Sequence, residues 1–436
     1  MKARLRYFWS RLDANYWFYP ALFVVLGVGL AVLATWADRA HLADGWLSGL
    51  SPLETTPQSA QTMLSIIAGG MIGVAATVFS ITIAAVAYAS GTYGPRLMTN
   101  FLEDKGNQLS LATLIGTFVY AITVLSGVHG AGDNAANISG ETLGGFVPQL
   151  ALLGAYLLTA LSVTVIVYLL NHIPSSIRIN EVLRDIGERL LHEIARLYPE
   201  CDSERAPDPA PRGEALRASD TGYVQLLDFE QLAECAKDRG VPVALRVRTG
   251  DFVHPGMVIA EAIGGAGDDV TALEDCLGTA FALGAERTAE QDPQFLLDEL
   301  VEIGLRALSP GINDPFTAIT AMHWLGAATA ELGRRDLELE DGLCDGRRWV
   351  WPLADDFAHF LARGFGAMRS AAATSPIAAQ VMLDCLEHAA EAVPHAGPRQ
   401  LLREEGARLH AQARIALQGP DLTLVEARYA QFAGSF

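Results

Sequence analysis

Two long apolar runs in the first third of the chain most constrain what it can fold into. Residues 63–90 and 109–128 contain no Asp, Glu, Lys, Arg or His. A helix needs about 20 apolar residues to cross a hydrocarbon layer of about 30 Å. The sequence therefore predicts two transmembrane helices joined by a short polar connection.

Two further apolar runs predict additional spans at residues 18–36 and 148–173. Trp17 and Trp36 flank the first of these runs, as is typical of tryptophans at the two membrane–water interfaces. A secretory signal peptide is the competing interpretation, but the run is longer than a usual signal core and no small-residue cleavage site follows it. The sequence thus predicts a transmembrane domain of four helices over residues 1–174.

Basic residues around these spans predict the orientation of the chain in the membrane. If the N-terminus lies inside, the outer connections contain one basic residue, Arg39. Because basic residues accumulate on the cytoplasmic side, the asymmetry predicts a multi-pass protein of the bacterial inner membrane with both termini in the cytoplasm. The inner flanks contain nine basic residues: Lys2, Arg4, Arg6, Arg11, Arg96, Lys105, Arg178, Arg184 and Arg189.

The second half of the chain is strongly acidic. Residues 1–175 contain seven Lys/Arg and eight Asp/Glu, so that almost all of the net charge of −19 belongs to the remainder. This acidity argues against a nucleic-acid partner; it keeps the domain soluble, or alternatively forms an acidic docking surface. The five cysteines all lie in this half without Cys-x-x-Cys spacing, which predicts reduced thiols and no metal site.

Beyond the fourth span the sequence predicts a cytoplasmic α+β domain. Residues 175–198 repeat apolar side chains every three or four positions and predict an amphipathic stalk helix, whose apolar face needs a partner in its own domain or in a neighbouring subunit. Residues 199–213 are rich in proline and charge and predict a linker. A small β-rich module over residues 214–266 is followed by a helical bundle over residues 267–436.

Local patterns place the elements of this domain. In the β-rich module they predict strands at 222–227, 241–247 and 257–262 and a helix at 229–238. Helices are predicted beyond it at 269–288, 293–307, 315–333, 350–371, 376–393, 398–418 and 421–432.

Small and hydroxyl residues recur at helical spacing along the second and third spans. Such a stripe lets helix backbones approach closely, which is the simpler interpretation. It also suits a permeation path, because neutral oxygens can replace the hydration shell of an ion. The pore-lining or helix-packing candidates are Gly69, Gly73, Thr77, Ser80, Thr113, Gly116, Thr117 and Tyr120.

Polar residues gather at the inner end of the spans. Asn171, His172 and Arg96 are candidates for an inner mouth. His172 is a titratable side chain close to such a path, and a histidine satisfied by a neighbour is the alternative to a pH-sensitive gate.

The sequence predicts a corner between two helices in the acidic domain. A helix containing Glu302 and Arg306 stops at Ser-Pro-Gly, and Asn313 or Asp314 caps the next helix, which begins with proline. The pair Glu302 and Arg306 is spaced for an intrahelical ion pair. Binding of an anion at the helix start, or of a cation by Asp314 with Glu302, is the functional alternative.

Several segments resemble a known family. These are residues 93–104 (YGPRLMTNFLED), 114–120 (LIGTFVY) and 307–318 (ALSPGINDPFTA), together with the stretches that begin at Gly222 and Gly250. They resemble the predicted bacterial membrane proteins grouped as domain of unknown function 2254, and the likeness covers nearly the whole chain. The resemblance implies four spans and a cytoplasmic domain, and it implies no activity or catalytic residue.

Taken together, these patterns predict an oligomeric inner-membrane protein that conducts small ions. The second and third spans would line the path, and the cytoplasmic domain would gate it. No carboxylate lies inside a span, which argues against a proton-coupled pump. A membrane-anchored scaffold or regulatory protein without transport activity is the alternative. Lacking a catalytic motif, the sequence favours no enzyme activity, no cofactor and no metal, and an enzyme that uses the acidic residues around Asn313 and Asp314 is the weaker third alternative. The predicted partners are the lipid bilayer, other copies of the chain and a small ion.

Overall fold

A computed structural model describes residues 15–40, 56–94, 104–129, 146–176, 178–200, 211–265, 267–289, 291–337, 343–344, 347–353 and 355–435. The chain divides into two compact units, Met1–Arg178 and Ile179–Phe436. We refer to them as the membrane unit and the second unit, and each is described by itself.

The membrane unit contains four described helices that are long and apolar enough to cross a membrane. The four predicted spans therefore correspond to four helices that are candidates for crossing a membrane by their length and composition. Local signals set their starts: Thr56 caps the second helix ahead of Pro57, and Asp104 caps the third. The helices are α1 (Phe18–Arg39), α2 (Pro57–Tyr93), α3 (Lys105–Leu125) and α4 (Gln149–Ser176).

Helix α3 forms the centre of the membrane unit. Its apolar segment is 61% buried, whereas the corresponding segments of the other three helices are 11–28% buried. It contacts α1, α2 and α4. The second and third spans, which both carry small and hydroxyl residues at helical spacing, thus occupy different environments.

The second unit begins with α5 (Ile179–Leu197), the amphipathic helix predicted at residues 175–198. Its apolar face, which includes Leu183, Ile186 and Leu190, is buried. The face packs on two helices of the same unit, α8 (Pro293–Ala307) and α9 (Pro315–Leu332). Of the two partners that the sequence left open, the structure provides the one within the domain.

A β-rich module follows, with a four-stranded sheet in the order β1-β5-β3-β9 and a three-stranded sheet in the order β4-β2-β6. Within the four-stranded sheet β3 and β9 are parallel, and the other pairs in both sheets are antiparallel. The elements are β1 (Glu214–Arg217), β2 (Gly222–Leu227), α6 (Phe229–Arg239), β3 (Val243–Leu245), β4 (Phe252–Val253), β5 (Val258–Ala262), α7 (Asp268–Ala280), β6 (Phe281–Gly284) and β9 (Val350–Trp351).

Two predicted helices in this part of the chain are too long. The helix predicted at 269–288 ends at Ala280, because Phe281 to Gly284 pair with β2 as strand β6. The helix predicted at 350–371 begins only at Phe357, since Val350 and Trp351 pair with β3. In both cases the competing strand partner lies far away in the sequence.

The remaining elements of the second unit are mainly helical. A π-helical turn (Ala362–Gly366) interrupts the segment between α10 and α11. The elements are β7 (Leu343–Cys344), β8 (Arg347–Arg348), α10 (Phe357–Leu361), α11 (Ala367–Ala372), α12 (Pro376–Ala392), α13 (Ala396–Ala416) and α14 (Gly419–Gly434).

The cysteines differ from the sequence prediction. Cys235 of α6 and Cys276 of α7 form a disulfide, with their Cα atoms 6.7 Å apart, so the prediction of reduced thiols is wrong for this pair. Cys344 and Cys385 are free, and burial raises the pKa of the Cys385 thiol to about 12. Cys201 lies outside the described residues.

Candidate functional site

The hydroxyl residues of α3 are engaged inside the membrane unit. Thr117 is 1% exposed, and its Oγ1 donates a hydrogen bond to the carbonyl of Thr113 at 2.9 Å. The Oγ of Ser162 on α4, itself fully buried, lies 2.9 Å from the same Thr117 oxygen. Because the Thr117 proton is already directed to Thr113, Ser162 is the donor in this contact. Thr113 in turn bonds back to the carbonyl of Leu109.

Two other candidates on α3 mediate close helix contacts. A Cβ added to Gly27 of α1 would lie 2.8 Å from the carbonyl oxygen of Gly116, so the two backbones meet directly. Tyr120 donates a hydrogen bond from its hydroxyl to the carbonyl of Ala151, at 2.9 Å. A Cβ at Gly154 would overlap that hydroxyl. Gly116, Thr117 and Tyr120 therefore contact neighbouring helices of their own unit, and Thr113 is buried in the same unit.

The buried stripe on α3 extends further than the sequence candidates indicate. Asn107, Gln108 and Ser110 are also buried, on the two turns before Thr113. Spacing of three and four residues joins Asn107 and Ser110, but not Gln108, to Thr113 and Thr117 along one side of the helix. We call Asn107, Ser110, Thr113, Thr117 and Tyr120 the α3 stripe.

A hydrogen-bonded pair of Asp104 and His172 lies beside the first residue of this stripe, Asn107. Asp104 accepts hydrogen bonds from the backbone N–H of Gly106 at 2.8 Å and from the amide of Asn107 at 3.0 Å. Its Oδ2 also lies 2.6 Å from Nε2 of His172, near the end of α4. The His172 ring stacks on Tyr168 with ring centroids 4.8 Å apart. The Asp104–His172 contact thus joins the start of α3 to the end of α4.

Of the candidates for an inner mouth, His172 belongs to this pair. His172 is partly buried beside Asp104, whereas Asn171 is exposed. Arg96 lies outside the described residues. Asp104 was not among the sequence candidates, since an acidic residue before a helix indicates a cap and does not reveal a partner 68 positions away.

The stripe on α2 has the opposite environment. Gly69, Gly73, Thr77 and Ser80 are exposed, and a Cβ added at either glycine would meet nothing within 4 Å. Thr77 and Ser80 donate hydrogen bonds to carbonyls one turn earlier in the same helix, at 2.9 Å each. We call these four residues the α2 stripe; it faces away from the other described helices of its unit.

The corner between α8 and α9 has the local structure expected from its sequence. Glu302 and Arg306 form an ion pair at 3.5 Å. Asp314 accepts hydrogen bonds from the backbone N–H and the hydroxyl of Thr317, at 3.2 and 2.6 Å, and so caps α9. Asn313 has a φ of 51°, a left-handed conformation that asparagine tolerates better than most residues. Glu302 and Asp314 are thus each held by a partner of their own.

The second unit also contains a buried charge cluster that the sequence analysis missed. Arg287 lies 2.6 Å from both Asp292 and Asp298. Arg363, from the π-helical turn, contacts both oxygens of Asp298 at 2.6 and 2.7 Å. A Cβ at Gly250 would overlap the Asp292 carboxylate. The cluster therefore connects the loop before β4 to the start of α8.

Burial and ion pairing act against each other in this cluster. Burial raises the pKa of Asp292 to about 6, although Arg287 opposes the shift. Burial also raises the pKa of Asp298, but its bonds to Arg363 and Arg287 outweigh this effect, so that the net shift is downward. The charges of two guanidinium groups and two carboxylates thus offset one another. This balance suits a cluster that holds two parts of the fold together.

Another buried carboxylate, Asp355, lies close to this cluster and contacts Gln294 on the first turn of α8. Asp355 accepts a hydrogen bond from the hydroxyl of Tyr198 at 2.8 Å and lies 2.9 Å from Nε of Arg248. Burial raises the pKa of both Asp355 and Tyr198. Among the described residues, no group of three or more His, Cys, Asp or Glu side chains is arranged to hold a metal ion.

One known family matches most of the chain. Residues 13–388 match the family described as "Predicted membrane protein (DUF2254)". The chain belongs to this family. The resemblance noted in the sequence is confirmed, and the family description gives a membrane location and no activity.

Two mycobacterial relatives illustrate how far the DUF2254 likeness extends. The uncharacterized protein Rv1290c of Mycobacterium tuberculosis (strain ATCC 25618 / H37Rv) is 30% identical over 393 residues, which cover 87% of this chain and 72% of that protein. The uncharacterized protein Mb1321c of Mycobacterium bovis shows the same identity and coverage. No solved structure matches the chain.

Proposed function

We propose that this DUF2254 protein assembles into an oligomer that conducts small ions, with the α2 stripe lining the path. The observation that supports this proposal is the exposure of Gly69, Gly73, Thr77 and Ser80 along one apolar helix. Small residues allow helices of neighbouring copies to approach closely, and hydroxyl oxygens can take the place of water around an ion.

The proposal assigns different roles to α2 and α3. The sequence favoured both helices as walls of the path. However, the Thr117 hydroxyl is used in contacts with Thr113 and Ser162, and Tyr120 is bonded to Ala151. We therefore assign the path to α2 alone and give α3 the role of holding the four helices together.

A scaffold without transport activity is the second candidate, and a specific observation favours it. The hydroxyls of Thr77 and Ser80 already bond to carbonyls of their own helix. In this geometry they can face lipid without an unsatisfied donor, so that they require neither water nor an ion. In this case the α2 stripe only packs against lipid or another helix.

An ion-flux assay in sealed liposomes separates the two candidates. We expect ion-selective flux from the purified protein, and loss of that flux in Thr77→Leu. The matched control is Thr164→Leu on α4, because Thr164 is also an exposed threonine bonded to a carbonyl four residues earlier, at 3.0 Å. Flux that survives Thr77→Leu, or that is lost equally in both variants, contradicts a path along α2.

The oligomeric state gives an independent check of the pore. One copy supplies four candidate spanning helices among the described residues, and the α2 hydroxyls are exposed on the outside of them, so that a path between α2 helices needs more than one copy. A protein that is monomeric in both detergent and lipid contradicts the proposal. Liposomes that stay tight for every ion tested, although the protein is folded and oligomeric, favour the scaffold.

We also propose a bacterial inner-membrane location with both termini in the cytoplasm. The nine basic residues on the predicted inner flanks, against one outside, support it. The disulfide of Cys235 and Cys276 opposes it, since disulfides are typical of oxidising compartments. The charge asymmetry outweighs the single disulfide, because it is made up of many separate residues. A C-terminal green fluorescent protein should fluoresce, and a C-terminal alkaline phosphatase should be inactive; the reverse pattern contradicts this orientation.

A further inference from the structure

Large apolar side chains are exposed unevenly over the second unit. The corner between α8 and α9, with its immediate flanks, contributes Leu305, Ile312 and Phe316, which are 37%, 44% and 69% exposed. Ile377, in the first turn of α12, is 45% exposed. The other exposed large apolar residues described in this unit are Phe252, Ile415 and Leu424.

Helices α5 and α9 run in the same direction, which fixes where the corner lies relative to the start of the unit. A Cβ at Gly187 in the middle of α5 would overlap the ring of Trp324 in the middle of α9. Near the other end, Arg335 donates a hydrogen bond to the carbonyl of Tyr198, at 2.6 Å. The first turn of α5 therefore lies at the same end of the helices as Phe316.

Helix α12 is also parallel to α9. A Cβ at Gly326 would lie 3.2 Å from Cβ of Cys385, and one at Gly333 would overlap Val393. The first turn of α12, with Ile377, consequently lies beside the first turn of α9. We call Leu305, Ile312, Phe316 and Ile377 the Phe316 end of the second unit.

The chain enters the second unit at this end, directly after the last candidate span. The last spanning helix ends at Ser176 and α5 begins at Ile179. Three residue-to-residue steps, from Ser176 to Ile179, allow at most about 11 Å of chain between these helix ends, because each step spans at most about 3.6 Å. The end of the second unit that exposes four large apolar side chains is therefore the end at which the chain arrives from the last span.

We propose that the Phe316 end binds the surface of the lipid bilayer, with Phe316 and Ile312 inserted at the boundary between headgroups and acyl chains. Apolar side chains that project from one side of a soluble structure insert to this depth, about 5–10 Å, in interfacial proteins. The exposed, partly paired guanidinium of Arg306 stands within one turn of Leu305 and suits the phosphate level of the same interface. The inference does not depend on ion conduction, since a scaffold would bind lipid in the same way.

Photo-crosslinking in the full chain tests this proposal. A photoreactive diazirine amino acid replaces Phe316, and the protein is illuminated in vesicles of phosphatidylcholine and phosphatidylglycerol. The matched control replaces Phe252, another exposed phenylalanine, because its neighbour Gly250 contacts Asp292 at the opposite end of α8. A lipid reference replaces Leu157 on α4, which is 64% exposed on a spanning helix. Mass spectrometry identifies what each probe has captured.

We expect lipid adducts to predominate at positions 316 and 157, and water adducts to predominate at position 252. Water adducts at 316 in the same proportion as at 252 overturn the proposal. A crosslink from 316 to a second protein chain also overturns it, because the surface would then be an interface between copies. A probe at position 312 repeats the measurement if the variant at 316 does not fold.

Discussion

The stripes on α2 and α3 have similar residues and different partners. Both repeat glycine, threonine or serine every three or four positions on an apolar helix. The α3 stripe is buried among the helices of its own unit, whereas the α2 stripe is exposed along most of its length. Spacing of small residues therefore indicates a surface suited to close contact, but it does not reveal whether the partner is the same chain, another copy or lipid.

The difference has a simple physical origin. A helix that contacts three neighbours, as α3 does, places its polar groups between helices, where Thr117 is hydrogen-bonded to Ser162 of α4 in addition to a carbonyl of its own helix. A helix at the periphery can satisfy serine and threonine with its own carbonyls, as Thr77 and Ser80 do. The same residue types thus stabilise the subunit on α3 and leave a surface available on α2.

The largest expected contrast is between two glycines. Gly27→Val forces side-chain atoms against the backbone of Gly116, which cannot move aside, and should lower the free energy of unfolding by about 3 kcal/mol. Gly73→Val adds the same atoms in open space and should leave the stability of the subunit nearly unchanged. Thermal denaturation in mild detergent measures both. Equal losses of stability would show that Gly73 is also packed within the subunit.

A smaller contrast is expected between the caps that begin the two helices. Asp104→Ala removes the acceptor for Gly106, Asn107 and His172, and should lower the free energy of unfolding by about 2 kcal/mol. Thr56→Ala removes two exposed contacts with Ser59, the bond from its backbone N–H at 3.3 Å and the contact with its hydroxyl at 2.9 Å, and should cost about 0.5 kcal/mol.

A double-mutant cycle separates the capping role of Asp104 from its contact with His172. Chemical denaturation of Asp104→Ala, His172→Ala and the double variant should give losses that are not additive, because the two side chains share one contact. Additive losses would show that Asp104 acts through its cap alone.

The sequence was sufficient where the determining residues are adjacent in the chain. Helix α8 begins at Pro293 and α9 at Pro315, as predicted, because an aspartate before each proline caps the helix locally. The four spanning helices follow from apolar length alone. Strand β6 was missed since its partner, β2, lies more than 50 residues earlier.

The same limit applies to the candidate site. Spacing along one helix indicated Thr113 and Thr117, but Ser162 lies 45 positions beyond Thr117, and no local pattern links the two. The close approach of Gly27 to the backbone of Gly116 and the pairing of Asp104 with His172 are likewise properties of contacts between helices. The charge cluster around Arg287 joins residues up to 65 positions apart that each look like an ordinary surface charge in the sequence.

The smallest contrast concerns the threonines themselves. Thr117→Val keeps the shape of the side chain but leaves the buried hydroxyl of Ser162 without its acceptor, and should lower the free energy of unfolding by about 1 kcal/mol. Adding Ser162→Ala removes the stranded hydroxyl, so the double variant should recover part of this loss. Thr77→Val breaks only a bond within α2 and should change stability by roughly 0.3 kcal/mol or less. Denaturant titrations in one detergent compare the three variants. If Ser162→Ala gives no recovery, the Thr117–Ser162 contact does not hold α3 against α4, and the hydroxyls of α3 would again be available to a permeation path.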